Sequence, residues 1–255
     1  MEGLIKEIKM GGLRLLVVKD YESLSMHAAQ YLYDQTVKKA DSHISIATGN
    51  TPEGAYARWI SMIKENKIST DSLRIHKLDE WDAVSGDDPA SCEYFLQNQI
   101  IRPLEISADR YNGVSCDAVD PEAECGRMAA FMENNPLDLS ILGVGVEGHL
   151  GLNESSDKLH YGTHYIELAS SSKGHGMLDA TDVSVDHGMT SGIGEIMAAE
   201  RILFLLSGSK KSGVFNSFMK RQISTDLPAS VLWLHHDVTC ICDQEAAALW
   251  MEDHK

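Results

Sequence analysis

The chain has 255 residues, of which 43% are hydrophobic and 24% charged, and its formal net charge is −16 at pH 7. These values are typical of a globular protein, and the length suits one large α/β domain, residues 1–255, better than two small ones. The negative charge argues against nucleic acid and anionic membrane surfaces as main partners, since both require basic patches. A small phosphorylated metabolite stays open, because helix N-termini and one or two cations bind such an anion locally.

The five cysteines are odd in number and show neither a CxxC nor a zinc-binding spacing. Cys240 and Cys242 lie two residues apart in an apolar run, so in a strand they would share one buried face. We therefore expect reduced thiols, no metal site and a cytoplasmic location. We recognise no signal peptide and no apolar stretch long enough to span a membrane, and expect no membrane partner.

Hydrophobic periodicity predicts strands that alternate with helices along most of the chain. The predicted strands are 13–18, 43–47, 73–78, 137–144, 201–206 and 238–242. The predicted helices are 21–39, 52–63, 89–101, 120–133, 190–199 and one that follows residue 213. Asp120 is the predicted N-cap of its helix, with Pro121 as the first helical residue. This order predicts an α/β fold with a mainly parallel, Rossmann-like central sheet flanked by helices.

The most informative stretch is 137–154, where an apolar strand ends in a loop rich in glycine. The loop carries one histidine, His149, and two carboxylates, Glu147 and Glu154. In an open α/β sheet, ligands bind outside the carboxyl ends of the strands. A solvated turn is the alternative, but the density of glycines around one histidine favours a ligand site, because glycine allows close approach of the backbone.

A second loop, residues 48–52, joins a predicted strand to a predicted helix and could cradle a phosphate. Gly49 can adopt positive φ, Asn50 and Thr51 bring backbone N–H groups to the helix N-terminus, and Thr51 adds a hydroxyl. The loop lacks the Gly-Lys-Thr of the Walker pattern. An ordinary strand–helix turn explains it equally well.

Charged residues also follow two other predicted strands. Asp79 and Glu80 come directly after the strand 73–78, and Lys211 follows the strand 201–206. Their position makes them site candidates, although a cap, a solvated loop or a surface lysine is the simpler explanation of each alone.

Residues 161–188 are rich in Ser, Gly, His and Asp and show no clear periodicity. Long, weakly patterned loops in compact domains are usually functional or mobile. We predict that this segment is a lid.

Taken together, five motifs in this order resemble the glucosamine-6-phosphate deaminase and 6-phosphogluconolactonase superfamily over residues 15–243. They are Thr-Gly-Asn-Thr-Pro at 48–52, Leu-Asp-Glu-Trp at 78–81, Gly-Val-Gly-Val-Glu-Gly-His at 143–149, Leu-Asn-Glu at 152–154 and Gly-Ser-Lys-Lys at 208–211. Asn153 and Glu154 resemble the deaminase branch. His-Leu-Gly-Leu-Asn-Glu at 149–154, with Pro-Ala-Ser at 228–230 and Trp-Leu-His at 233–235, is most similar to galactosamine-6-phosphate isomerases.

The resemblance implies an enzyme that isomerises and deaminates an amino-sugar phosphate without a metal or redox cofactor. It implies His149 as the acid–base for ring opening, oriented by Glu154, and Asp79 as the base that moves a proton between C2 and C1. Glu80 is a further candidate. The implied phosphate-binding residues are Gly49, Asn50, Thr51 and Lys211.

Three positions depart from the family pattern. Glu147 stands where the family usually has an aspartate in the catalytic set, and the extra methylene can rotate its carboxylate away. Residues 161–188 lack the lid arginine that binds phosphate in the family, and Lys173 is the candidate substitute. Asn50 stands where the glucosamine enzymes have glycine.

The predicted function is conversion of galactosamine 6-phosphate to tagatose 6-phosphate and ammonia. The alternatives are glucosamine-6-phosphate deaminase giving fructose 6-phosphate, 6-phosphogluconolactonase, and a sugar-phosphate-binding regulator without activity. A lactonase would not need Asp79 or the Asn153–Glu154 pair, so ammonia release separates the two chemistries. The sequence leaves a homo-oligomer open.

Overall fold

Two β-sheets organise the computed structural model, which describes residues 3–253. The strands are β1 Leu4–Met10, β2 Leu13–Val18, β3 His43–Ile46, β4 Arg74–Lys77, β5 Asp79–Trp81, β6 Tyr111–Asn112, β7 Leu139–Leu142, β8 His164–Glu167, β9 His187–Thr190, β10 Arg201–Leu206 and β11 Val238–Asp243. The α-helices are α1 Tyr21–Lys38, α2 Asn50–Glu65, α3 Cys92–Leu96, α4 Pro121–Asn134, α5 Ser170–Lys173, α6 Ile193–Met197, α7 Ser212–Phe218 and α8 Ala248–Asp253.

The larger sheet has eight strands in the order β1-β2-β11-β10-β7-β3-β4-β6. All neighbours are parallel except β1 and β2, which form an antiparallel hairpin at one edge. The predicted α/β fold with a mainly parallel central sheet is confirmed.

The order of strands reverses between β3 and β7. The chain runs from β3 towards β4 and β6 on one side, and from β7 towards β10 and β11 on the other. The loops that follow these two neighbouring strands therefore diverge and leave a crevice at the carboxyl end of the sheet, where ligands bind in such folds.

Alternate residues of the central strands face two separate cores. Leu15, Phe204 and Cys240 pack with α4, α7 and α8 on one face, and Ile241 packs with α1 and α2 on the other. Cys242 shares the face of Cys240, and both are fully buried free thiols, as predicted. Burying each large apolar side chain contributes about 1.5–3 kcal/mol, so these two layers hold the helices against the sheet.

Helix boundaries follow local capping. The Asp120 side chain accepts a hydrogen bond from the Ala123 amide at 3.0 Å, and Pro121 begins α4, which confirms that prediction. The helix predicted over 89–101 begins later, because the Ser91 hydroxyl accepts from the Tyr94 amide at 2.9 Å and caps α3, which continues as a π-helical turn, Gln97–Ile101.

Three elements of the structure differ from the prediction or are absent from it. The chain begins its sheet with β1, which we did not predict because its apolar residues alternate with charged ones at an exposed edge. Asp79–Trp81, which we placed at the end of the preceding strand, is a separate strand, since it pairs with β9 in a three-stranded antiparallel sheet, β5-β9-β8. Residues 188–190 belong to β9, so the helix predicted over 190–199 begins only at Ile193.

The segment 161–188 is more regular than predicted. It contains β8, the short helix α5, a 3₁₀ turn at Gly176–Ala180 and the start of β9. Its strands are polar and find their partners in each other and in β5, a contact that local sequence does not reveal. No helix within residues 3–253 is long and apolar enough to cross a membrane.

Two fully buried histidines lie side by side in β3 and β4. The rings of His43 and His76 meet edge to face at 6.0 Å between centroids, and His76 Nε2 lies 2.9 Å from the Ser191 hydroxyl. Burial, with the charge of Arg74 near His43, lowers the pKa of His43 to about 4. Burial likewise lowers the pKa of His76 to about 3. Both rings are therefore neutral in the folded protein at pH 7.

We expect this pair to make the protein sensitive to acid. The folded-state pKa values lie below the unfolded value of about 6.5, so the unfolded state binds more protons and stability falls as pH drops through 6.5 towards 4. Each histidine should lower the free energy of unfolding by about 2 kcal/mol between pH 6.5 and pH 5. Urea unfolding at several pH values should show a shallower decline for His43→Gln than for the wild type. The exposed His236→Gln variant is the control, and equal slopes for His43→Gln and wild type would contradict the prediction.

Candidate active site

A cavity of about 140 Å³ opens in the crevice at the carboxyl ends of four adjacent strands, β10, β7, β3 and β4. Its walls come from the segments that follow these strands, and from the segment 161–188. The cavity gathers six predicted site residues: Gly49, Asn50, Thr51, Asp79, His149 and Lys211.

The loop after β3 presents the start of α2 to this cavity. Gly49 is the residue before the helix and has φ of +104°, a conformation that side chains rarely adopt. Gly49 has no side chain to cap the helix, so the first amide groups of this 16-residue helix remain available to an anion. Pro52 lies in the first helical turn, where its missing N–H costs no hydrogen bond.

His149 and Glu154 lie together on the loop after β7. His149 Nδ1 is 3.1 Å from Glu154 Oε2, an ion-pair distance, but the contact does not meet the geometry of a hydrogen bond. Gly145 makes room for the imidazole, because a Cβ at this position would lie 2.1 Å from Nε2 of His149. Burial raises the pKa of Glu154, yet nearby His149 and the hydroxyl of Ser172 outweigh it and hold that pKa below its usual range.

Asp79 stands across the cavity on β5. Loss of water in the pocket raises the pKa of its carboxyl to about 7, and the charge of Glu80 adds to this effect, while His149 and Lys77 oppose it. Cys92 Sγ lies 3.8 Å from Asp79 Oδ1. A carboxylate with a pKa near the operating pH is suited to both removing and returning a proton.

Lys211 is the cation of this cavity. It ends a 3₁₀ turn, Ser209–Lys211, that follows β10. Burial and the charge of Lys210 lower the pKa of Lys211. The ion pairs found among residues 3–253 leave its ammonium without a carboxylate partner, so it can bind an anion.

Glu80 is fully buried and does not line the cavity. Its Oε2 accepts a hydrogen bond from Lys77 Nζ at 2.9 Å and one from the Glu93 amide at 2.8 Å. Its Oε1 accepts from the amides of Trp81 and Cys92. The carboxylate thus joins β5 to the start of α3 directly beside Asp79.

The structure does not bring Glu147 or Lys173 into the cavity. Glu147 is exposed, and its Oε2 accepts a hydrogen bond from the Ser171 hydroxyl of α5 at 2.6 Å. Lys173 Nζ pairs with Asp186 Oδ1 at 2.7 Å on the surface. Catalytic and phosphate-binding roles for these two residues stay predictions.

Three cavity residues were missed by sequence reasoning. Ser172 and His175 come from the segment 161–188, and Trp81 follows Glu80. The His175 ring packs against the Trp81 indole at 5.7 Å between centroids, and His175 Nδ1 accepts from the Met177 amide at 3.3 Å. The proton of the neutral ring therefore sits on Nε2, which can donate. The only sequence signal for Ser172 and His175 was that the predicted lid, residues 161–188, is rich in serine and contains histidine.

A larger concavity of about 530 Å³ lies between α3 and the 111–117 segment and shares no lining residue with this crevice. Its buried charges are already satisfied, since Lys77 and Tyr111 both donate to Glu93. No group of three potential metal ligands occurs within residues 3–253.

Residues 19–241 match the protein family described as glucosamine-6-phosphate isomerases/6-phosphogluconolactonase. A glucosamine-6-phosphate deaminase of Thermoanaerobacter sp. (strain X514) is 32% identical over 93% of this chain and 95% of its own. The putative deaminase AgaI of Escherichia coli (strain K12) is 34% identical over 88% of this chain and 89% of its own.

Solved structures agree with these matches. A monomeric glucosamine-6-phosphate deaminase superposes with a TM-score of 0.88 at 32% identity and covers 92% of this chain and 99% of its own. The 6-phosphogluconolactonase of Trypanosoma brucei superposes with a TM-score of 0.68 at 17% identity, covering 92% and 97%, which shows a shared fold alone. The chain therefore belongs to the glucosamine-6-phosphate isomerase/6-phosphogluconolactonase family.

Proposed function

We propose that this protein isomerises and deaminates a hexosamine 6-phosphate, with galactosamine 6-phosphate as substrate and tagatose 6-phosphate and ammonia as products. One observation supports this proposal most strongly. In a single crevice, the carboxyl of Asp79, with a pKa of about 7, faces the imidazole–carboxylate pair of His149 and Glu154 and the ammonium of Lys211. The residues that line the cavity come from positions between Ala47 and Lys211. Distant parts of the chain therefore build one site, which supports a single catalytic domain.

The phosphate would lie at the start of α2, where backbone amides and the Thr51 hydroxyl meet the ammonium of Lys211. In the segment 161–188, His175 reaches the cavity whereas Lys173 does not. His175 Nε2 is therefore our choice for the second side-chain donor to the substrate. This arrangement leaves the sugar ring between Asp79 and His149.

The chemistry proceeds in three stages. His149 takes the proton of the C1 hydroxyl and returns one to the ring oxygen, which opens the pyranose to an aldehyde. Asp79 removes the proton from C2 while a proton passes from the 2-ammonium group to the aldehyde oxygen, which gives an enolamine. Asp79 then delivers its proton to C1, and C2 becomes an iminium carbon. Water adds at C2 and ammonia leaves, giving a ketose phosphate.

The galacto preference is supported by the motif His-Leu-Gly-Leu-Asn-Glu at 149–154, which is most similar to that of galactosamine-6-phosphate isomerases. The test is ammonia release from galactosamine 6-phosphate, glucosamine 6-phosphate and their N-acetylated forms, measured side by side. A higher kcat/KM for glucosamine 6-phosphate would overturn the galacto assignment, and hydrolysis of 6-phosphogluconolactone without ammonia release would favour the lactonase chemistry.

Lys211→Ala should weaken substrate binding more than turnover. Losing a charge-assisted hydrogen bond costs about 1.5–3 kcal/mol, which corresponds to roughly a tenfold or greater rise in KM. Lys210→Ala is a matched control, because Lys210 is the exposed neighbour of Lys211 on the same turn. Equal KM values for the two variants would remove Lys211 from the phosphate site.

A further inference from the structure

The carboxylate of Glu154 has two oxygens with different surroundings. Oε2 faces Nδ1 of His149 at 3.1 Å. Oε1 accepts a hydrogen bond from the Ser172 hydroxyl at 2.5 Å and another from the Ala169 amide at 3.3 Å. Both donors to Oε1 come from the segment 161–188, so this segment fixes the carboxylate that faces the histidine.

Ser172 differs from its neighbours on α5. Its side chain is 3% exposed and lines the cavity, whereas Ser170 is exposed. The next serine, Ser171, reaches Glu147 instead and holds that carboxylate at the surface. With Glu147 turned away, Glu154 is the carboxylate that contacts His149, and its orientation depends on Ser172.

We propose that Ser172 is a positioning residue for ring opening, whose hydroxyl holds Oε1 of Glu154 so that Oε2 stays directed at Nδ1 of His149. Helix α5 thereby links the placement of the segment 161–188 to the acid–base pair. The inference rests on the proposed function for its kinetic part, since His149 acts only on the cyclic form of the sugar.

The hydroxyl of Ser172 donates to an ionised oxygen, and such bonds are stronger than those between neutral groups. Without it, Oε1 keeps one long contact from Ala169, and the carboxylate can rotate away from the imidazole. Ring opening should slow while the proposed phosphate contacts at the start of α2 and at Lys211 remain. We expect kcat to fall by about 10- to 100-fold in Ser172→Ala, the range for losing a hydrogen bond to a charged group.

The experiment compares Ser172→Ala with Ser172→Thr, which keeps the hydroxyl, and with Ser170→Ala, which alters the exposed face of the same helix. The first readout is the NMR titration of Glu154, which needs no substrate. Because the hydroxyl stabilises the ionised carboxylate, the pKa of Glu154 should rise in Ser172→Ala only. The second readout is kcat for ammonia release, together with the affinity for an open-chain amino-alditol 6-phosphate, which does not require ring opening.

The expected result is a low kcat, unchanged affinity for the open-chain ligand and a raised Glu154 pKa in Ser172→Ala, with both control variants like the wild type. An unmoved Glu154 titration, a wild-type kcat, or an equal loss in Ser170→Ala would overturn the inference. A weakened affinity for the open-chain ligand would show a general collapse of the cavity and overturn it too. If the wild type releases no ammonia although Glu154 titrates as expected, the contact stands and the proposed function fails.

Discussion

Asp79→Asn should nearly abolish ammonia release, by about 10²–10⁴-fold in kcat, the usual contribution of a general base. The amide has the size of the carboxyl but cannot accept the proton from C2. Substrate affinity should stay close to that of the wild type, because the proposed phosphate contacts lie on other loops. Exchange of the C2 hydrogen with solvent should disappear together with ammonia release, since both require the same proton transfer.

The pH dependence offers an independent check on Asp79. Its pKa of about 7 means that the base is only half ionised at neutral pH, so kcat/KM of the wild type should fall as pH drops below about 7. A folded pKa above the ordinary value of 3.8 also means that the folded state binds this proton more tightly than the unfolded state. Asp79 therefore lowers stability as pH rises from 3.8 to 7.

The neutral amide lacks this penalty. Asp79→Asn should consequently unfold in urea at an equal or higher midpoint than the wild type at pH 8, which separates lost chemistry from lost structure. Interconversion of the substrate anomers on the enzyme should persist, because the proposed mechanism assigns it to His149 and Glu154. Wild-type ammonia release by Asp79→Asn would show that another group moves the proton.

The sequence predicted the parts of the site that depend on local order along the chain. A buried strand followed by glycine, as at β7, places its loop at the carboxyl edge of a parallel sheet whatever the rest of the fold does. The same holds for Gly49 after β3 and Lys211 after β10. Each of these residues lines the crevice.

Contacts between distant segments of the chain could not be predicted from the sequence. Asp79 lies on a strand because β9, more than 100 residues later, pairs with it. Glu147 and Lys173 were assigned by their place in a motif or a loop, but the direction of each side chain depends on a partner, Ser171 and Asp186 respectively. No sequence pattern indicates Ser172, because its proposed importance comes from one buried contact with Glu154.

A second large effect is expected at Lys77, which lies two residues before Asp79 and does not line the crevice. Its side chain is 2% exposed, and its ammonium donates to Glu80 Oε2 at 2.9 Å and to Glu93 Oε2 at 2.8 Å. Burial lowers the pKa of Lys77, but the two carboxylates outweigh burial and raise it above the ordinary value. The lysine is thus charged, and it neutralises the fully buried Glu80.

Lys77→Met should lower the free energy of unfolding by about 3–5 kcal/mol, the usual cost of removing one partner from a buried ion pair. Methionine keeps the apolar stem, so the loss reports the uncompensated charge of Glu80 and not a cavity. Arg14→Met is the control, because Arg14 pairs with Glu7 in a contact that is more than 30% exposed on both sides. Such exposed pairs contribute about 0–1 kcal/mol.

The same variant should alter catalysis in a defined direction. The charge of Lys77 lowers the pKa of Asp79, so its removal should raise that pKa further and move the acid limb of kcat/KM to higher pH. Adding Glu80→Gln to Lys77→Met should recover part of the lost stability, since the amide does not leave a buried charge. Urea unfolding and pH–rate profiles of the single and double variants measure both effects. A single variant as stable as Arg14→Met would show that Glu80 is neutral in the folded protein, and that the strand carrying Asp79 is held by its backbone contacts alone.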